Sequence, residues 1–110
     1  MLPESRKTQE GKYVVKIVNV GPYRVGEAQP LLVIAGPCVL QDGPVVFEIA
    51  EHLARLAADL PINLVFKASF DKANRTSIES YRGPGLELGL QQLDSVRRKF
   101  DLPITTDIHE

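Results

Sequence analysis

The chain has 110 residues, with 13 Lys+Arg against 14 Asp+Glu and a formal net charge of -1. Hydrophobic residues at 44% and charged residues at 25% describe an ordinary globular chain, without the basic excess of a nucleic-acid scaffold or an apolar run near the roughly 20 residues of a membrane span. The opening MLPESRKTQEGK lacks the apolar core of a secretory signal, and a single cysteine leaves no disulfide framework, so the expected compartment is a reducing cytoplasm.

Residues 1–12 are polar and are expected to form a flexible N-terminus. Residues 13–30 read as an N-terminal β-hairpin and connector. Residues 13–20 (YVVKIVNV) are β-branched and strand-like, Gly21-Pro22 signals a turn, and residues 23–25 are placed to pair back. At residue 31 the period changes. LLVIA (residues 31–35) is a continuous apolar run closed by Gly36-Pro37, as expected of a parallel strand buried on both faces.

Val46, Ile49, Leu53, Leu56 and Leu60 then recur at helical spacing, with Asp42 as a candidate N-cap. Residues 63–70 (NLVFKASF) form a second strand that turns polar at its C-terminal end. Residues 71–85 form a long polar loop ending in Gly83-Pro84-Gly85, a turn that launches the next helix. Leu86, Leu90, Leu93, Val96 and Phe100 make a second helical stripe, and residues 103–106 begin a third strand. The order β-α-β-α-β over residues 31–110 predicts an α/β fold with a parallel sheet and right-handed crossovers.

In such folds function gathers at the carboxyl ends of the strands. The first strand ends in Gly36-Pro37-Cys38, the second in Lys67, Ser69 and the loop DKANR, and the third in Asp107 and His109. Residues two apart on a strand share a face, so Lys67 pairs with Ser69 and Asp107 with His109. Lys67, Lys72, Arg75 and Arg82 lie close together, with Asn74, Thr76 and Ser77 among them. Cations with hydroxyl and amide donors suit phosphate or carboxylate recognition. His52 falls on the first helix and reads as an ordinary surface or half-buried residue. Cys38, read alone, is open between a small buried hydrophobe, a nucleophile and a metal ligand.

Three segments are recognisable: IAGPCVL (residues 34–40), VFKASFDKANRTSIESYRGPGLELG (residues 65–89) and TTDIHE (residues 105–110). Together they resemble the 3-deoxy-D-manno-octulosonate 8-phosphate synthases. The sister 3-deoxy-D-arabino-heptulosonate 7-phosphate synthases share an AGPC-like element. They typically carry a Lys-Pro-Arg-Thr loop where this chain has Lys67-Ala68-Ser69-Phe70.

The resemblance implies an enzyme that condenses phosphoenolpyruvate with D-arabinose 5-phosphate, releasing phosphate, in bacterial lipopolysaccharide biosynthesis. It implies that Lys67, Ser69 and Lys72 face phosphoenolpyruvate, with Lys72 also near the sugar aldehyde. Asn74, Arg75 and Thr76 would take the sugar phosphate, and Asp107 and His109 would line the same cavity, with Lys72, Asp107 and His109 as the catalytic set. Cysteine at position 38 matches the metal-dependent branch of the family, with a divalent metal ion whose other ligands are expected beyond Glu110. The implied assembly is a homo-oligomer, a tetramer, with no nucleic acid or membrane partner.

The implied fold is the N-terminal hairpin plus the first three strands and two helices of a (β/α)8 TIM barrel, a fold of typically about 250 residues. The 110-residue chain alone is therefore expected to be inactive. Two alternatives stand beside this reading. One is a truncated, catalytically inactive barrel fragment that acts only by association, and the other is the heptulosonate activity.

Overall fold

A computed structural model describes residues 5–7, 13–40, 44–70 and 83–107 of the chain. The described elements are strands β1 (Ser5–Lys7), β2 (Tyr13–Val15), β3 (Val18–Val20), β4 (Tyr23–Val25) and β5 (Leu31–Ala35), helix α1 (Val45–Asp59), strand β6 (Ile62–Lys67), helix α2 (Leu86–Phe100) and strand β7 (Ile104–Thr105). Among the described residues no helix is long and apolar enough to cross a membrane.

The N-terminal region forms two antiparallel pairs. β1 pairs with β2, placing Ser5 opposite Val15, so part of the stretch expected to be flexible is a paired strand. β3 pairs with β4 across Gly21-Pro22, with Gly21 at φ 53, a left-handed turn conformation that glycine adopts without steric cost. The run 13–20, which reads as one strand, is therefore two. Its halves have different partners, and at the break, Lys16 and Ile17, Gly26 passes so close to Ile17 that a Cβ on it would be crowded.

β5, β6 and β7 form the parallel sheet in that order, with α1 and α2 as the crossovers. Alternation along β6 sorts its side chains into two faces. Leu64, Phe66 and Ala68 join Val46 and Ala50 of α1 and Leu93 and Val96 of α2 in one buried cluster, and Val33, Ala35 and Ile104 pack against it. Both helices thus cover the same face of the sheet. Ile34, Val65, Lys67, Ser69, Thr105 and Asp107 have the parity of the other face.

Of the expected stripes, Val46, Ile49 and Leu53 on α1 and Leu93, Val96 and Phe100 on α2 pack at the core, whereas the leucines toward one end of each helix do not. On α1, Ala50, Ala54 and Ala57 pack at the core, while Leu56 and Leu60 are 39% and 49% exposed. Alanine allows the helix axis to approach the sheet, and the two leucines turn outward. On α2, Gly89 takes the inner position because a Cβ there would crowd the Phe70 side chain, so Leu86 and Leu90 are 55% and 47% exposed. The N-cap of α1 is Pro44, whose carbonyl accepts the Glu48 N–H at 2.9 Å, and not Asp42, which lies outside the described residues. On α2, the hydrogen bond from Arg97, with added attraction from Arg98, holds the Asp94 carboxyl below its usual range.

One cross-link ties the hairpin to the sheet. Phe66 pairs with Ile104, and its N–H donates to the Pro103 carbonyl at 2.8 Å. Parallel geometry then sets residue 103 opposite the Leu64 carbonyl, but proline has no N–H to offer. The Tyr23 hydroxyl donates to that carbonyl instead, at 2.9 Å. Tyr23→Phe keeps the ring and removes the donor. It should lower the unfolding free energy by about 1–2 kcal/mol in urea denaturation, and an unchanged midpoint would show that water satisfies the carbonyl equally well.

Candidate active site

The rim at the carboxyl end of the sheet starts from an irregularity in β5. Ala35 pairs with Phe66, yet Val39 bridges Ser69, so the first strand advances four residues while the second advances three. The extra residue makes a bulge at Gly36-Pro37-Cys38. Gly36 is required there, because a Cβ would collide with the Lys67 carbonyl. Pairing then resumes, with Leu40 N–H donating to the Ser69 carbonyl at 2.8 Å. Val39 and Leu40 are buried, while the Cys38 thiol is exposed at the bulge.

At the end of β6, Lys67 is exposed, and Ser69, two residues further on, is buried. Both lie on the face turned away from the helices, as their spacing indicates. Thr105 of β7 pairs with Lys67, and Asp107 stands two residues further along. The Ser69 hydroxyl donates to Asp107 Oδ1 at 2.5 Å, joining the ends of β6 and β7 through their side chains. The sequence places both residues at the rim but carries no sign that they bond to each other. The signal that was available is register: Lys67 opposite Thr105 puts position 69 opposite position 107.

The cationic segment 71–82 is bracketed by two anchors that meet. The Phe70 carbonyl accepts the Gly85 N–H at 3.2 Å. Gly83, at φ +120, leaves no room for a Cβ against that same carbonyl. The segment therefore departs and returns beside Ser69, and Gly83-Pro84-Gly85 launches α2 as its composition indicates, with Gly85 at the N-cap. Lys72, Asn74, Arg75, Thr76, Arg82 and His109 lie outside the described residues. His52 is exposed on α1, in keeping with its reading as an ordinary helix residue.

Cys38 is the one described donor that the resemblance assigns to a metal. Its exposed thiol on a rim bulge is suitable as a single ligand. Among the described residues, however, no three His, Cys, Asp or Glu side chains gather into a metal site.

A parallel α/β unit with both helices on one face, and its polar groups at the strand ends of the other, is the arrangement of a partial TIM-barrel-type fold. A family model described as the DAHP synthetase I family matches residues 7–110. The chain belongs to that family. It is 54% identical over 85 residues to the 2-dehydro-3-deoxyphosphooctonate aldolase of Desulfatibacillum aliphaticivorans, covering 77% of this chain and 31% of that protein. Identity to the protein of the same name from Alkalilimnicola ehrlichii is 51% over 88 residues, covering 80% and 32% of the two chains. For the Xanthomonas oryzae pv. oryzae protein it is 50% over 88 residues, with the same coverage of 80% and 32%. The chain spans about a third of the length of the curated relatives it matches. The octulosonate resemblance read from the sequence is borne out by these relatives.

The tight seat of Gly36 makes a direct prediction. Gly36→Ala should force Lys67 and the bulge apart and lower stability by about 1–3 kcal/mol, read as a shift of the denaturation midpoint. A wild-type midpoint would mean that the strand ends are not packed as described.

Proposed function

We propose that this chain carries the first three strands and two helices of a (β/α)8 barrel and belongs to a 3-deoxy-D-manno-octulosonate 8-phosphate synthase. The reaction is the condensation of phosphoenolpyruvate with D-arabinose 5-phosphate, giving the eight-carbon sugar acid phosphate and inorganic phosphate, a step in lipopolysaccharide biosynthesis. One observation carries the reading: relatives about half identical over about four fifths of the chain bear that enzyme's name. The polar face at the ends of β6 and β7 agrees with it.

In this reading, carbon 3 of phosphoenolpyruvate attacks the sugar aldehyde, water adds at carbon 2, and the carbon–oxygen bond to phosphate breaks. Both substrates are polyanions, so fixed cations are what the chemistry needs. Lys67, exposed at the end of β6, Ser69 and Lys72 face phosphoenolpyruvate, with Lys72 also near the sugar aldehyde. Asn74, Arg75 and Thr76 take arabinose 5-phosphate, and Asp107 and His109 line the cavity. Preorganised charge is the main contribution of such groups. Cys38 would give one thiolate to a divalent ion, whose Lewis acidity would help to orient the sugar aldehyde. The remaining ligands are not among the described residues, and no step above passes through the ion. The protein is proposed to work as a cytoplasmic homo-oligomer, a tetramer, and the 110 residues alone are proposed not to turn over.

The description of the family model favours a second reading, the heptulosonate activity. Protein expressed from its full reading frame should release phosphate from phosphoenolpyruvate with arabinose 5-phosphate and not with erythrose 4-phosphate. The reverse preference would establish the second reading. Arg75→Ala should raise the KM for the sugar phosphate by about tenfold or more and that for phosphoenolpyruvate far less, since a bidentate Arg–phosphate contact is lost. Equal effects on both would place Arg75 elsewhere. Cys38→Ala should strip bound divalent metal, measured by elemental analysis of the purified protein, and full occupancy would remove Cys38 from the ligand set.

A further inference from the structure

A glycine inside a helix needs a reason, because alanine there loses less backbone entropy and favours the helix. α2 carries one at Gly89, at the end of its first turn and buried, where its N–H donates to the Gly85 carbonyl at 3.0 Å. The reason lies on the sheet side. A Cβ on Gly89 would stand 2.5 Å from the Phe70 Cβ and 3.4 Å from its Cα, with Leu40 Cδ1 at 3.3 Å. Neither Phe70 atom is the end of a flexible side chain. A methyl group at position 89 therefore displaces the Phe70 backbone and not merely a rotamer.

Two more glycines meet the same residue. Gly85 N–H donates to the Phe70 carbonyl at 3.2 Å, and Gly83 has no room for a Cβ against that carbonyl. Three glycines, two before α2 and one within it, thus seat the residue that immediately precedes segment 71–82. On the other side of Phe70 the chain is already held. The Ser69 backbone bridges Val39, and its carbonyl accepts the Leu40 N–H at 2.8 Å. A displacement at Phe70 is resisted toward Ser69 and is carried forward along the chain.

We propose that Gly89 is a positioning residue, whose missing side chain lets Phe70 set where segment 71–82 starts relative to the strand end. It acts from the helix layer, because Phe70 packs against the buried core and Gly89 is buried behind it. This rests on the synthase reading above, in which Asn74, Arg75 and Thr76 take arabinose 5-phosphate. Those three residues follow Phe70, whereas Lys67 and Ser69 precede it. A shift at Phe70 therefore weighs more on the sugar phosphate than on phosphoenolpyruvate.

Kinetics of the full-length protein test this. With Gly89→Ala, the KM for arabinose 5-phosphate should rise about fivefold to twentyfold, as expected when binding groups are misplaced by a fraction of an ångström. The Kd for phosphoenolpyruvate, by calorimetry, should stay within about twofold. Val96→Ala is the control for lost stability, since Val96 is fully buried about two turns further along α2. It should lower the Tm and leave both constants within about twofold. If Gly89→Ala does not fold, Phe70→Leu loosens the same seat from the sheet side and should give the same split. An unchanged KM for the sugar phosphate, an equal loss for both substrates, or the same split in Val96→Ala overturns the proposal and leaves the synthase reading intact. Unsubstituted protein that neither binds phosphoenolpyruvate nor releases phosphate overturns the synthase reading and this proposal with it.

Discussion

The hydrogen-bonded ladder on both edges of β6 is the constraint from which the rest of the structure follows. β5 runs along one edge from Leu31 to Ala35, and β7 joins the other at Ile104 and Thr105. With both edges occupied, the strand cannot rotate or slip, and alternation alone decides the fate of each side chain. Leu64, Phe66 and Ala68 must meet the helices, and Lys67 and Ser69 must turn away from them. A shift of one residue would bury the lysine against α1 and α2 and expose the phenylalanine. The core and the rim are two consequences of one register.

The ladder is imperfect in two places, and each fault is repaired from outside it. At Pro103 an N–H is missing, and the Tyr23 hydroxyl reaches in from the β3–β4 hairpin to satisfy the Leu64 carbonyl. The hairpin thereby becomes part of the sheet's hydrogen bonding instead of a separate appendage. After Ala35 an extra residue enters, and Gly36 makes it tolerable by lying against the Lys67 carbonyl. The first repair lies near the start of β7 and secures the fold. The second lies at the functional end and brings Cys38 to the surface. Both use an ordinary residue whose value depends on a distant partner.

At the functional end the side chains divide by depth. Ser69 is buried and bonded, Asp107 is half-buried, and Lys67 is exposed. The residues that flank segment 71–82, Phe70 before it and Gly83 and Gly85 after it, meet at the same strand end. The Ser69–Asp107 bond joins the ends of β6 and β7 through their side chains.

Much of the fold was legible in the sequence. The change from β-branched runs to a 3.6-residue period placed both helices, and alternation assigned Lys67 and Ser69 to one face. The motifs KASFDKANR and TTDIHE pointed to the family, because chemistry constrains residue identity at strand ends most strongly. Periodicity turned Val46, Ile49, Leu53, Leu93 and Val96 inward, but it could not say how each stripe ends. That was decided by close packing, which preferred Ala50, Ala54 and Gly89 to the larger Leu56 and Leu90. The sequence also could not show that Tyr23 answers Pro103 or that Ser69 bonds Asp107. Those partners are 41 and 38 residues apart along the chain for Tyr23–Leu64 and Ser69–Asp107, and only the parallel register brings them together. Local pattern determined which elements form and which residues carry charge; their partners were decided by the tertiary structure, because hydrogen bonds between strands depend on register and not on composition.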